Sequence, residues 1–314
     1  MASFNLVNYS LRPSKSIQRA LAFDGVRTLQ GKLDYKNLLY VGFGSIWFTD
    51  FHLAHRSLSV QEMVSIEVDP VGYVRALFNC PFRTVKIKKG YSYEILPTMY
   101  GDAEYRDRPW MMWLDYDKAL SESSVEDIRL AIEMLPADSV FLVTFKCIGG
   151  NYGKPKHRHK RIKILLGDVV PDTKVIDDFQ DAVLPDLMAS LVLDFMKSAA
   201  AQVARPGGFV PSFRMAYRDQ TPMVTVGGVL PRRENVDVVK TTIKADEWSG
   251  MVSGTIVAPH LTTKESTALQ AELPSHVPLD RNIVQQLGFD LDDDQIEAFQ
   301  KFYRFYPSFA QVVS

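Results

Sequence analysis

The sequence predicts an α/β protein built on a doubly wound, mostly parallel sheet. Apolar runs of strand length alternate with amphipathic stretches of helix length from about residue 15 to residue 145, the order that parallel pairing requires. Two of those runs, WMMWL at Trp110–Leu114 and VFLVTF at Val140–Phe145, are almost wholly apolar, as strands covered on both faces must be. A third observation bears on use. The run Leu38–Val41 ends in Gly42-Phe43-Gly44-Ser45, and the next apolar run ends on Glu67. Glycines at a strand–helix turn let a nucleoside approach the backbone, and a carboxylate that far downstream can hold ribose hydroxyls.

The elements follow in order. Ser14 is placed to cap a helix from Lys15 to about Gln30, with Ile17, Leu21, Val26 and Leu29 on its apolar side and Gly31 as its stop. Leu38–Val41 reads as a buried strand, the segment after Ser45 as a helix, and Val64–Val68 as the second strand. Asp69-Pro70 starts a short helix carrying Tyr73, Leu77 and Phe78, and TVKIK at Thr84–Lys88 alternates as a strand should. Trp110–Leu114 is the fourth strand, closed by Asp115-Tyr116-Asp117. Ser123 or Ser124 caps a helix with Val125, Ile128, Ile132 and Leu135 on one face, and Val140–Phe145 is the fifth strand. Asp177–Arg205 reads as one or two helices with Pro185 as a possible break. Phe213–Tyr217 and Met223–Val229, separated by a Pro-containing turn, read as an antiparallel hairpin. One more strand-like piece, Thr255–Ala258, and short helices close the chain.

Composition bounds the function classes. The chain has 314 residues, 46% hydrophobic and 23% charged, the balance of a soluble globular protein. A formal net charge of −1 excludes a uniformly basic nucleic-acid coat but leaves room for a local basic patch. Two cysteines, Cys80 and Cys147, are too few for a disulfide framework or a cysteine zinc site and suit a reducing compartment. Met1–Lys15 lacks the apolar core of a signal peptide, and the apolar run Leu184–Met196 is broken by Asp186 and Asp194. A soluble, cytoplasmic protein is expected.

Five β/α units followed by a helix and a hairpin, together with LYVGFGSI and SIEVDPVGYVRALFN, resemble the Rossmann-like (class I) methyltransferases that use S-adenosylmethionine. The resemblance covers roughly residues 35–230. It implies a seven-stranded sheet with a C-terminal hairpin and S-adenosylmethionine as cofactor. It also implies cofactor contacts at Gly42, Gly44, Ser45 and Glu67, with Gly90 and Tyr91 bordering the adenine. Asp115 ends the fourth strand where that family faces the methyl group, and Asp117 follows it; both are the candidate catalytic residues. The chain departs from the family at Tyr40, where an acidic residue is usual, at Ile46, where a third glycine is usual, and at Tyr91, where an aspartate is usual. LDYDK also resembles the metal-binding loop of small-molecule O-methyltransferases, but Thr144-Phe145-Lys146 stands where their Asp-Asn belongs, so no metal is expected.

Other clusters carry alternatives. Asp50, His52 and His55 follow no recognised metal-ligand spacing, and Asp290-x-Asp292-x-Asp294 lacks the glycine and the closing glutamate of a calcium loop. KPKHRHKRIK at Lys154–Lys163 reads either as a solvated loop or as a phosphate-binding patch through Lys156, Arg158, Lys160 and Arg161. Thr262-Thr263-Lys264-Glu265 forms a capping box. Ile296, Phe299, Phe302, Tyr303, Phe305, Tyr306 and Phe309 are spaced either to pack a helix on its own domain or to form a protein-partner or self-association surface. Three units result: a lead segment and helix (1–34), the methyltransferase-like domain (35–230) and a mainly helical C-terminal appendage (231–314). The expected function is methyl transfer from S-adenosylmethionine to an oxygen or nitrogen acceptor, small molecule or nucleic acid. The alternative is a non-catalytic binding or assembly subunit with the same fold, contacting nucleic acid or nucleotide through the basic run.

Overall fold

A computed structural model describes residues 12–308, beginning with α1 (Pro13–Leu33). Pro13 opens this helix, where a missing N–H leaves no hydrogen bond unmade. Ser14, expected as the cap, lies inside it: its N–H donates to Asp219 Oδ1 (2.9 Å) and its hydroxyl to the Arg218 carbonyl (3.1 Å). The helix runs past Gly31 to a left-handed cap at Asp34 (φ 50°).

Strands and helices then alternate: β1 (Leu39–Gly42), α2 (Thr49–Leu58), β2 (Met63–Glu67), α3 (Pro70–Asn79) and β3 (Val85–Lys89). Asp69 caps α3 by accepting from the Gly72 N–H at 2.7 Å. Two helices that the sequence pattern did not announce, α4 (Ser92–Gly101) and α5 (Ala103–Arg106), lead to β4 (Trp110–Ala119). This strand is longer than the apolar run. Asp115, Tyr116 and Asp117 lie within it, at a break in its register with its neighbour. α6 (Glu122–Met134) is capped by Ser121, not by Ser123 or Ser124, and β5 (Ser139–Lys146) follows. The basic run forms a helix, α7 (Pro155–Leu166), where a loop was the plainer expectation. α8 (Leu184–Gln202) takes Pro185 into its first turn and is unbroken. β6 (Val210–Arg218) and β7 (Pro222–Leu230) form the hairpin. The remainder is α9 (Val236–Thr242), β8 (Met251–Ile256), α10 (Thr263–Ala271), α11 (Arg281–Gln286) and α12 (Asp293–Phe302).

The strands form one sheet in the order β3-β2-β1-β4-β5-β7-β6-β8. The first five are parallel, β7 is antiparallel to β5 and β6, and β8 is parallel to β6. The sheet therefore has eight strands rather than seven. The eighth comes from the C-terminal segment and covers β6, which would otherwise be an open edge.

Alternation along β4 divides the core. Met112 and Leu114 face a cluster with Val125, Ile128 and Met188, whereas Met111 and Trp113 face one with Phe23, Phe51 and Phe299. Ile296, Phe299, Phe302 and Tyr306 are buried in the second cluster, so most of the tail's aromatic pattern packs on its own sheet; Phe309 lies outside the described residues. No helix among the described residues is long and apolar enough to cross a membrane.

Candidate active site

The strand order sets the carboxyl ends of β3, β2, β1 and β4 side by side. Gly90-Tyr91, Glu67, Gly42–Ser45 and Asp115 therefore follow one another along a single edge of the sheet. Ligands of open α/β sheets bind at this edge. Neighbouring strands are about 4.8 Å apart, so the step from Glu67 across β1 to Asp115 is about 10 Å.

The two glycines are needed by the protein's own packing. A Cβ on Gly44 would stand 2.5 Å from Ser65 Oγ and 2.6 Å from the Phe48 ring, and one on Gly42 would stand 2.9 Å from the Tyr40 hydroxyl. Gly44 N–H donates to Ser65 Oγ (3.1 Å), and Phe48 N–H donates back to the Gly44 carbonyl (2.9 Å). Between them Ser45 takes a left-handed conformation (φ 50°), its Oγ accepting from the Trp47 N–H at 3.2 Å.

Glu67 is half-buried at the end of β2. Burial pushes its carboxyl above the usual range, opposed by the Asp69 N–H that donates to Oε1 at 2.8 Å. Next along, Gly90 donates its N–H to the Glu67 carbonyl (3.1 Å) at φ 151°. Tyr91 is exposed and stacked on Tyr93, ring centres 5.2 Å apart.

One buried group here was not anticipated from the sequence. Asp127 of α6 accepts from the Ser92 hydroxyl (2.7 Å) and the Tyr116 hydroxyl (2.6 Å) through the same oxygen, Oδ2. Tyr116 in turn meets the Phe43 ring edge-on at 5.4 Å. The sequence offered only a helix with an aspartate on it; no spacing rule ties residue 127 to residues 92 and 116.

Asp115 is not a lone carboxylate. Lys15 Nζ of α1 lies 2.5 Å from its Oδ2, and Arg19 Nη2 lies 3.7 Å from the same atom. Arg19 Nε lies 2.7 Å from Asp50 Oδ1 at the start of α2. Tyr40 and Tyr217 close the group, with Lys15 Nζ 6.0 Å from the Tyr217 ring centre. Burial pushes the Lys15 ammonium down against the pull of Asp115, and it pushes the Asp50 carboxyl up against Arg19. Burial also works against the Arg19 charge, but the two carboxylates outweigh it and raise that group. Both tyrosine hydroxyls are held well above their usual range, by burial first and by the two aspartates second. The sequence marks Lys15 and Arg19 only as helix residues, four apart on one face. Asp117, two residues beyond Asp115, is half-buried.

The other clusters resolve differently. Arg158, expected among phosphate-binding residues, is 3% exposed. It donates to the Gly153 carbonyl (2.8 Å) and the Phe179 carbonyl (2.6 Å) and pairs with Asp181. It is an interior anchor held by two carbonyls and a carboxylate; Lys156, Lys160 and Arg161 stay exposed on α7. Asp50 belongs to Arg19, His55 Nδ1 lies 3.0 Å from the Val60 carbonyl, and both His52 and His55 rest against Phe82. Among the described residues no three His, Cys, Asp or Glu side chains are grouped to hold a metal ion.

A family model described as "Putative O-methyltransferase" matches residues 7–314. No curated protein matches the sequence. Among solved structures the chain is similar to Trm1 from Pyrococcus horikoshii in complex with S-adenosyl-L-methionine, at 11% identity over 71% of this chain and 58% of that one, with a TM-score of 0.44. It thus spans less than two thirds of that protein's length. It is also similar to the O-methyltransferase TomG of Streptomyces achromogenes, involved in tomaymycin synthesis, at 16% identity over 72% of this chain and 93% of that one, with a TM-score of 0.36. The fibrillarin pre-rRNA processing protein of Methanococcus jannaschii matches at 12% identity over 63% of this chain and 68% of that one, also with a TM-score of 0.36.

Proposed function

The chain belongs to this O-methyltransferase family, and from that membership we propose that it transfers the methyl group of S-adenosylmethionine to an oxygen or nitrogen acceptor. The observation that carries the reading is the order along the sheet edge: an aromatic pair, a half-buried carboxylate, a tight turn and a buried charged group, spaced for a nucleoside joined to an amino acid. When bound, the cofactor supplies an electrophilic methyl group on a sulfonium.

This chain's residues then have distinct tasks. Glu67 accepts hydrogen bonds from the two ribose hydroxyls, and Gly90 with Tyr91 borders the base. Gly42, Gly44 and Ser45 set the turn over which the cofactor lies. Asp115, paired through Oδ2 with Lys15 and Arg19, holds a fixed charge at the end of the apolar run of β4. Asp117 is the proton acceptor for the methyl-accepting oxygen or nitrogen. With the cofactor bound, holding the acceptor atom in line with the methyl carbon would supply much of the rate. α7 follows β5 at the same edge, and exposed Lys156, Lys160 and Arg161 suit an acceptor that carries phosphates. A reducing compartment such as the cytoplasm is in keeping with Cys80 and Cys147, both free thiols.

The test is transfer of tritium from methyl-labelled S-adenosylmethionine to a panel of phenols, carboxylates, amines and transfer RNA. Labelling of at least one acceptor, lost on Asp117→Asn by on the order of 10²–10⁴-fold, is expected. Tight cofactor binding with no labelled acceptor would favour the non-catalytic subunit.

A further inference from the structure

Four charged side chains, Lys15, Arg19, Asp50 and Asp115, are buried together beneath the reacting end of the site. The side chains of Lys15 and Asp115 are only 7% and 12% exposed, so their charges have lost most of their water. Their charges sum to zero. Buried charges are tolerated when paired and fully hydrogen-bonded, and here the pairing is complete while the hydrogen bonding is not. Asp115 Oδ1, Arg19 Nη1, both amide atoms of Gln18 and the Tyr217 hydroxyl are buried with no hydrogen-bond partner. Arg19 Nε and Asp50 Oδ1 are in ionic contact without an aligned hydrogen bond. Native interiors rarely leave so many polar atoms idle in one place. Gln18 is fully buried on the same helix turn as Lys15 and Arg19, and its idle amide carries both a donor and an acceptor.

We propose that this quartet, with Gln18 and Tyr217, binds the α-amino-carboxylate end of the cofactor: Asp115 and Asp50 receive the ammonium, and Arg19 and Lys15 receive the carboxylate. The inference rests on the methyltransferase reading and adds the residues that grip the amino acid. A zwitterion is the ligand the charges demand. A lone anion or cation would unbalance a neutral buried group, whereas a zwitterion leaves the sum at zero and supplies donors and acceptors together. Position agrees. With the ribose on Glu67 at the end of β2, the rest of the molecule must run across β1 toward β4, and the quartet stands there. It also accounts for Tyr40. The acidic residue absent from the end of β1 is replaced in function by Asp50, seated at the start of the next helix. The first helix is therefore part of the cofactor site.

The test compares ligands before it compares variants. S-adenosylhomocysteine, its decarboxylated and deaminated analogues, and methylthioadenosine, which lacks the whole amino acid, are titrated into the intact protein by calorimetry. Removing either charged group is expected to weaken binding about 10- to 100-fold, the worth of charge-assisted hydrogen bonds. Arg19→Gln should weaken S-adenosylhomocysteine by a similar factor, abolish the penalty for removing the carboxylate, and leave methylthioadenosine within about twofold. The comparison on the unaltered protein stands even if Arg19→Gln fails to fold. Analogues binding within about threefold of the parent ligand would overturn the proposal while leaving the cofactor reading intact. No binding by any of the four would overturn the cofactor reading, and the proposal with it.

Discussion

Lys15 Nζ lies 2.5 Å from Asp115 Oδ2, an ion pair that joins the first helix to the central strand β4 across 100 positions of sequence. Both side chains are nearly dry, and Asp115 is shared between Lys15 and Arg19. Removing one partner leaves an uncompensated buried charge. Asp115→Leu and Lys15→Met should each destabilise the fold by about 3–5 kcal/mol, whereas the two combined should recover most of that loss. Urea unfolding of the two single variants and the double variant checks it. Additive losses would mean the pair is not coupled.

The basic helix divides into two kinds of cation. Neutralising Lys156, Lys160 and Arg161 together should flatten the salt dependence of nucleic-acid binding by about 0.9 per phosphate contact on duplex DNA. Arg158→Ala should instead lower stability by about 1–3 kcal/mol, because the Gly153 and Phe179 carbonyls lose their donor. Filter binding across a salt series, with a parallel melt, separates the two. No binding by the unaltered protein at low salt would make α7 a solvated face and nothing more.

Cofactor affinity should depend on pH through Glu67. Burial raises its carboxyl above the usual range, and ribose hydroxyls need the ionised form. Affinity should therefore hold at neutral pH and fall as pH drops through the raised value. For folding alone the sign is opposite: a raised carboxyl favours the folded state below its unfolded value, a gain lost as pH rises through the folded one. Calorimetric titrations from neutral to acidic pH, repeated on Glu67→Gln, test this; an unchanged pH profile in the variant would exclude Glu67.

The two thiols should differ in reactivity. Burial pushes Cys147 up to about 12, opposed only by Arg158, while Cys80 is partly exposed. Mildly alkaline iodoacetamide should label Cys80 readily and Cys147 only after unfolding. Equal labelling of the folded protein, read by mass spectrometry, would contradict the burial of β5's end.

Much of the frame was readable because strand and helix periods are local. WMMWL could only be a doubly covered strand, and IEVDP announced both a strand end and a helix start. What the sequence hid was long-range. Helix α3 carries Leu77 and Phe78 outward, 50% and 90% exposed, because its packed face uses only Gly72 and Ala76; hydrophobicity alone pointed the other way. Arg158 reads like its basic neighbours, and only the fold reveals that carbonyls of Gly153 and Phe179 surround it. Ser14 fits a capping rule but is claimed by Asp219 and Arg218, some two hundred positions away. Asp115 was visible as a site residue; its partners Lys15, Arg19 and Asp50 were not, since no spacing rule joins a helix face to a strand end.

The most direct measurement is calorimetric titration of S-adenosylhomocysteine into the purified chain and into Glu67→Ala. The ordered sheet edge predicts one site of micromolar-scale affinity in the parent, weakened by roughly 1–3 kcal/mol, about 5- to 150-fold, in the variant through lost ribose hydrogen bonds. No heat, and no shift in melting temperature, at millimolar ligand would contradict it.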